Sequence, residues 1–220
     1  MTKLMVALDT KDLNEAVQWA AWTEDYVDGY KVGLEFFLAN GPDGYRLIGM
    51  LNKPIMLDLK LHDIPNTVAG AVKALLPLRP TFLTIHAQGG YKMIEAAHDA
   101  AGKSEDRPQI IVVTQLTSTI GDSNVVMHWA AEAEQAGADG IVCSGLHTAS
   151  LRRFLDDPSF LIMNPGIREP GATADDQVQT VTAKSAKQSG ADWIVVGRPI
   201  TKAPHVAEAA ARFRSELDQA

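Results

Sequence analysis

In the segment Ile55-Met-Leu-Asp-Leu-Lys-Leu-His-Asp-Ile-Pro-Asn-Thr67, Asp58, Lys60 and Asp63 stand two and three residues apart. Alternate side chains of an extended strand share a face, so Asp58 and Lys60 point one way while Leu57 and Leu59 point the other. Asp9 and Lys31 also interrupt apolar runs, and can converge on the same space. Like charges about 4 Å apart repel by roughly 4 kcal/mol at an effective dielectric near 20, so lysines and aspartates of alternating sign make such a cluster tolerable. An ammonium held this way can stabilise a developing negative charge and then supply a proton. Two plainer alternatives are a salt-bridge network that only ties strand ends together, and a divalent-metal site built from Asp58, His62, Asp63 and His86. Against the metal, Lys60 lies between those ligands in sequence and would repel a cation.

A second chemistry is visible downstream. Asn164-Pro-Gly-Ile-Arg168 and Val196-Gly-Arg198 each put a glycine beside an arginine. Glycine lets bare backbone approach an anion, and a guanidinium can grip phosphate through two parallel hydrogen bonds. Either pair alone reads as a surface turn; two of them in corresponding places point to a phosphate grip.

The elements that must position these residues follow from the pattern of apolar runs. Short runs rich in Val, Ile and Leu occupy 4–9, 29–34, 55–60, 82–87, 110–116, 140–144, 160–164 and 193–198. Most are continuous rather than alternating, as expected of parallel strands covered on both faces. Between them lie helical stripes: Leu13, Ala16, Val17, Ala20 and Ala21, with Asp12 as N-cap and Glu15 placed for a capping box; Val68, Ala71, Val72 and Leu75 behind Pro65; and Val206, Ala209, Ala210, Phe213 and Leu217 behind Pro204. Eight βα units in 220 residues average about 27 residues each, near the lower end for an α/β (β/α)8 TIM barrel. No linker or low-complexity tract divides the chain, so residues 1–220 are expected to be a single domain. An open doubly wound sheet would also alternate β and α, but Thr10-Lys-Asp12 follows the first strand where a G-x-G-x-x-G would be needed. In such barrels the site lies at the strand C-termini, where Asp9, Lys31, Asp58, Lys60, Thr117, Ser118, Arg168, Gly197 and Arg198 all fall.

Composition bounds the rest. At 46% hydrophobic and 21% charged residues, the chain is that of a globular protein with a substantial core. A net charge of -7 argues against nucleic acid or an anionic membrane as partner. The only cysteine, Cys143, sits in an apolar run, which excludes an intrachain disulfide and points to a buried thiol. The N-terminal apolar run is too short for a signal-peptide core, so a cytoplasmic location is expected. His98, His147 and His205 read as solvated surface positions.

Asp58-Leu-Lys-Leu-His-Asp-Ile-Pro-Asn-Thr67, with Val6-Ala-Leu-Asp9, Lys31-Val-Gly33, Leu116-Thr-Ser118, Pro165-Gly-Ile-Arg168 and Val196-Gly-Arg198, resembles the orotidine 5′-phosphate decarboxylase family across nearly the whole chain. The D-x-K-x-x-D core is shared with related sugar-phosphate decarboxylases; the Ile64-Pro-Asn-Thr67 continuation and the Pro-Gly-Ile-Arg motif narrow the match. The resemblance implies a cofactor-free, metal-free homodimer acting on orotidine 5′-monophosphate. It further implies Lys60 as proton donor, Asp58 beside the departing carboxylate, Lys31 bridging the array and the ribose, and Asp9 on the ribose hydroxyls. Asp63, Ile64 and Thr67 would reach the partner subunit's site. Thr117, ahead of its neighbour Ser118, matches the base contact, and Arg168, Gln177, Gly197 and Arg198 match the phosphate grip. The 169–176 segment is the candidate lid. Two other functions stay open: a metal-dependent sugar-phosphate decarboxylase or lyase on the same scaffold, distinguished by chelator sensitivity, and a non-catalytic nucleotide-binding barrel, which has no need of the Asp58/Lys60/Asp63 set.

Overall fold

The apolar runs do become parallel strands, and they close on themselves. The computed structural model describes residues 1–115, 122–169 and 180–220. Its strands are β1 (Lys3–Ala7), β2 (Gly29–Gly33), β3 (Ile55–Leu61), β4 (Phe82–His86), β5 (Gln109–Val113), β6 (Gly140–Val142), β7 (Leu161–Asn164) and β8 (Trp193–Val196). They pair in sequence order, all parallel, with β8 returning to β1. The helices are α1 (Leu13–Thr23), α2 (Leu34–Gly49), α3 (Pro65–Leu75), α4 (Gly90–Ala101), α5 (Ser123–Gln135), α6 (Thr148–Phe154), α7 (Ala183–Gln188), α8 (Arg198–Thr201) and α9 (Val206–Asp218). The fold is therefore the expected single-domain (β/α)8 barrel, and no helix among the described residues is long and apolar enough to cross a membrane.

The two-residue period of each strand divides the core in two. Met5, Ala7, Met56, Phe82, Ile111, Met163, Trp193 and Val195 fill the barrel interior, whereas Leu4, Val6, Leu57, Leu83, Val112, Ile162 and Ile194 pack outward under the helices. Cys143 is buried in the outer layer, and burial pushes its thiol up to about 12, so it is protonated at neutral pH.

At the barrel floor one arrangement recurs. The residue before each even-numbered strand is Asp28, Thr81, Asp139 or Asp192. Its N–H donates to the carbonyl of a residue on the preceding strand (Leu4, Ile55, Ile110 or Ile162). Its side chain accepts the N–H of that same residue, at 2.7, 3.2, 2.7 and 2.8 Å respectively. Each bracket ties two strands where the ladder begins and satisfies an N–H that would otherwise lack a partner. The three aspartates are each held by an arginine as well: Arg214 on Asp28, Arg107 on Asp139 and Arg152 on Asp192.

Two local expectations change. Asp12 does cap α1, accepting from the Asn14 and Glu15 amides, but Glu15 does not close a capping box: its carboxylate accepts from the Thr10 hydroxyl at 2.6 Å, and that hydroxyl accepts from the Asp12 amide. His98 and His147 are half-buried rather than solvated, each with one ring nitrogen out of contact with solvent.

Candidate active site

Asp58 is the centre of the site. Its position in β3 aims the side chain into the barrel, and it is 6% exposed. Oδ2 lies 2.7 Å from Lys60 Nζ and 3.3 Å from Lys31 Nζ, while Oδ1 accepts a hydrogen bond from the Thr84 hydroxyl at 2.9 Å. Lys31 continues the chain of alternating charge to Asp9 Oδ1 at 2.8 Å. Burial pushes the Asp58 carboxyl up, but Lys31, then Lys60, and then the Thr84 hydroxyl outweigh it and hold the group below the ordinary carboxylate range. For Lys31 burial opposes the charge, and Asp58 followed by Asp9 overcomes it, leaving the ammonium above its ordinary value. Asp58 and Lys31 are thus both ionised throughout the neutral range.

Backbone geometry delivers these groups. Lys60 has φ 49°, in the left-handed region, where a residue with a Cβ bears a cost of about 1 kcal/mol or more. The β3/β4 ladder slips at the same place: Leu57 pairs with Leu83 and Leu61 with Ile85, so four steps on one strand face two on the other. Gly33 leaves the room the array needs. A Cβ there would stand 2.8 Å from Asp9 Oδ1 and 3.1 Å from Lys31 Nζ.

Two cavities meet at Asp9, Lys31, Pro165 and Val195. The inner one, 220 Å³, is bounded by Asp58, Lys60 and Gln115 and by the apolar side chains of Met56, Val113 and Val142. That apolar wall excludes water and strengthens the charges opposite it. The outer one, 390 Å³, is lined by Gly166, Arg168, Gly197, Arg198, Thr201, Lys202, Ala7 and Glu35. Lys31, Arg168, Arg198 and Lys202 outnumber Asp9 and Glu35 there, a local positive surface in a chain of net charge -7. Gly166, at φ 76°, makes the turn after β7 that aims this loop, and the loop is tied down by the Arg168 amide donating to the Val181 carbonyl at 3.0 Å.

The match to known proteins follows these features. The family model described as "Orotidine 5′-phosphate decarboxylase / HUMPS family" matches residues 2–213. An orotidine 5′-phosphate decarboxylase of Gluconobacter oxydans is 43% identical over 234 aligned residues, covering 100% of this chain and 98% of the relative. The chain belongs to this family. Another decarboxylase of the family, from Paramagnetospirillum magneticum, is 42% identical, with 96% and 97% of the two chains covered. The crystal structure of orotidine 5′-phosphate decarboxylase from Lactobacillus acidophilus superposes with a TM-score of 0.84 at 35% identity, over 99% of this chain and 100% of that one.

Against the family frame, the residues expected from sequence divide into three groups. Asp9, Lys31, Asp58, Lys60, Arg168, Gly197 and Arg198 line the two joined cavities. Asp63, Ile64 and Thr67 line neither; all three are exposed, and Asp63 accepts from the Ile64 amide at 2.6 Å rather than from Lys60. Among the described residues of this chain, Asp58 alone pairs with the Lys60 ammonium. Thr117, Ser118 and Gln177, and residues 170–176 of the proposed lid, lie outside the described residues. The four residues of the metal alternative do not converge. His62 and His86 stack on each other at 5.6 Å, Asp58 is engaged by two lysines and a threonine, and no group of three or more such ligands forms among the described residues.

Sequence reasoning missed Thr84, Gln115, Glu35, Thr201 and Lys202. Gln115 Oε1 is buried without a hydrogen-bond partner beside the inner cavity, which leaves it available to a bound polar ring. Its period-two spacing from Ile111 and Val113 was the available signal.

Proposed function

We propose that this protein converts orotidine 5′-monophosphate to uridine 5′-monophosphate and carbon dioxide in pyrimidine biosynthesis, with residues 1–220 acting as one catalytic domain. Membership of the family supports the reaction. The observation that carries the mechanism is the Lys60 ammonium, 2.7 Å from Asp58 in a partly apolar inner cavity that adjoins an arginine-lined one.

The phosphate sits in the outer cavity against Arg168, Arg198 and the Gly197 backbone, with Gln177 as a further contact. The ribose spans Lys31 and Asp9, the two charged residues common to both cavities. The pyrimidine then occupies the inner cavity, held by Thr117, with C6 facing Lys60. As the bond from C6 to the carboxylate breaks, its electron pair stays on C6 and carbon dioxide departs. The ammonium stabilises that charge and then transfers a proton to C6. Asp58 orients Lys60 and lies where the substrate carboxylate would be repelled. Enzymes lower barriers by roughly 8 to 23 kcal/mol, and a localised ring carbanion demands the upper part of that range. Gripping the remote phosphate and closing the 169–176 segment convert binding energy into exclusion of water from the array.

The working form is a cytoplasmic homodimer with shared sites. Asp63, Ile64 and Thr67 are exposed, and Ile64 is 66% exposed although apolar; the partner subunit's cavity is the place that would take them. Mixing Lys60→Ala with Asp63→Ala chains under exchange conditions should restore activity, whereas proven heterodimers without activity would exclude a shared site.

The reaction itself is tested by adding orotidine 5′-monophosphate to purified protein in chelator and following loss of the orotate absorbance. Turnover at the metal-replete rate is expected. Failure of that substrate to turn over with or without metal would refute the assignment, and activity abolished by chelator would favour the metal-dependent lyase.

A further inference from the structure

Lys60 and Asp58 are fixed by a group that lines neither cavity. Where the β3/β4 ladder slips, the Lys60 amide falls outside the paired register. It donates instead to the Thr84 hydroxyl at 2.9 Å. That hydroxyl then donates to Asp58 Oδ1, also at 2.9 Å. The direction is forced, because an ionised carboxylate only accepts and a backbone amide only donates. One oxygen therefore secures the backbone of the lysine and the side chain of the aspartate.

From this geometry we infer that Thr84 is a positioning residue for the decarboxylation, setting both the rotation of Asp58 and the left-handed backbone of Lys60. Engaging Oδ1 from behind turns Oδ2 forward, between the two lysines. Accepting the Lys60 amide stabilises the φ of 49° that carries the ammonium into the inner cavity. Thr84 is fully buried and lines neither cavity, so it acts only through its two partners. Valine has nearly the same shape and would leave an amide and a carboxylate oxygen unsatisfied at the point where charge must be aimed.

The inference rests on Lys60 being the proton donor, and the test keeps the two claims apart. In Thr84→Val, kcat should fall by about 10- to 100-fold, the scale of a displacement of order 1 Å at a reacting group. KM and the affinity for uridine 5′-monophosphate should change less than about threefold, since no ligand contact is lost. Thr84→Ser, which restores the hydroxyl without the methyl, should recover most of the rate. Equal kcat in wild type and Thr84→Val overturns the inference, as does a Thr84→Ser variant as slow as Thr84→Val. If Thr84→Val fails to fold, Thr84→Ser against Thr84→Ala decides: serine must be at least about tenfold faster, and equal rates overturn the inference. Lys60→Ala in the same assay isolates the underlying mechanism. Normal turnover there sinks the proton-donor role whatever Thr84 does, while an inactive Lys60→Ala beside an unimpaired Thr84→Val sinks the present inference alone.

Discussion

Asp58 in β3 and Asp139 just before β6 are both partly or wholly buried aspartates of one barrel, each gripped by a cation and by another hydrogen-bond donor, yet they lie at opposite ends and are held in different ways. At the floor, Arg107 meets Asp139 with two parallel hydrogen bonds, at 2.6 and 2.8 Å, and the Ile110 amide adds a third at 2.7 Å. The same bracket repeats around the floor. At the open end, Asp58 is shared by two lysines and a threonine, and nothing in the repeat corresponds to it. A guanidinium fixed in a fork stays protonated and is spent on its carboxylate. A lysine presents three donors, of which Lys60 commits one to Asp58 among the described residues, and it can give a proton away. Charge clusters of similar composition therefore hold the barrel at one end and are poised for chemistry at the other.

That contrast can be broken in order of effect. Lys60→Ala should lower kcat by about 10^4-fold or more while nucleotide affinity and melting temperature stay near wild type; steady-state kinetics and a product-binding titration read this. Arg198→Ala should weaken phosphorylated ligands by about 10- to 100-fold, the loss expected of a charge-assisted contact, without comparable weakening of the unphosphorylated nucleoside. At the floor the pattern reverses. Asp139→Ala should cost about 2 to 3 kcal/mol in denaturant unfolding with kcat unchanged, because it strips the Ile110 amide and Arg107 of their acceptor. Thr81→Val, at the one bracket with a neutral acceptor, should cost only about 1 kcal/mol. A floor variant that lost turnover without losing stability would erase the distinction.

A pH series sharpens the same point. The Asp58 carboxyl is held below its ordinary value, so its contribution to stability is fully present above about pH 4 and is lost as the pH falls through the folded-state value. The stability gap between wild type and Asp58→Asn should therefore shrink as the pH is lowered from 7 toward about 3. A gap that stayed constant over that span would mean the carboxylate is not held by the lysines.

The two ends were also unequally legible. Asp58 and Lys60 stood out because charge in an apolar strand is costly, and the two-residue period places both on one face. The eight strands were visible for the same reason, as uninterrupted apolar runs. Thr84 was silent: a threonine between Leu83 and Ile85 reads as an ordinary strand residue, and its partners are 26 and 24 positions away. The left-handed backbone at Lys60 has no glycine to announce it. Glu35 in α2 and Lys202 just after α8 reach the outer cavity from outside the strand ends where site residues were sought. The floor brackets did leave a trace, in Val27-Asp-Gly29, Ala138-Asp-Gly140 and Ala191-Asp-Trp193. An aspartate at the threshold of a strand reads as turn chemistry until the neighbouring strand's amide is seen against it.

The mechanism depends most directly on where Lys60 points when the site is full, which a crystal structure with bound uridine 5′-monophosphate would measure. The expected result is Lys60 Nζ within about 3.5 Å of the pyrimidine C6, with the phosphate on Arg198. A ring whose C6 faces the apolar wall of Val113 and Val142, with the ammonium more than about 6 Å away, would contradict it.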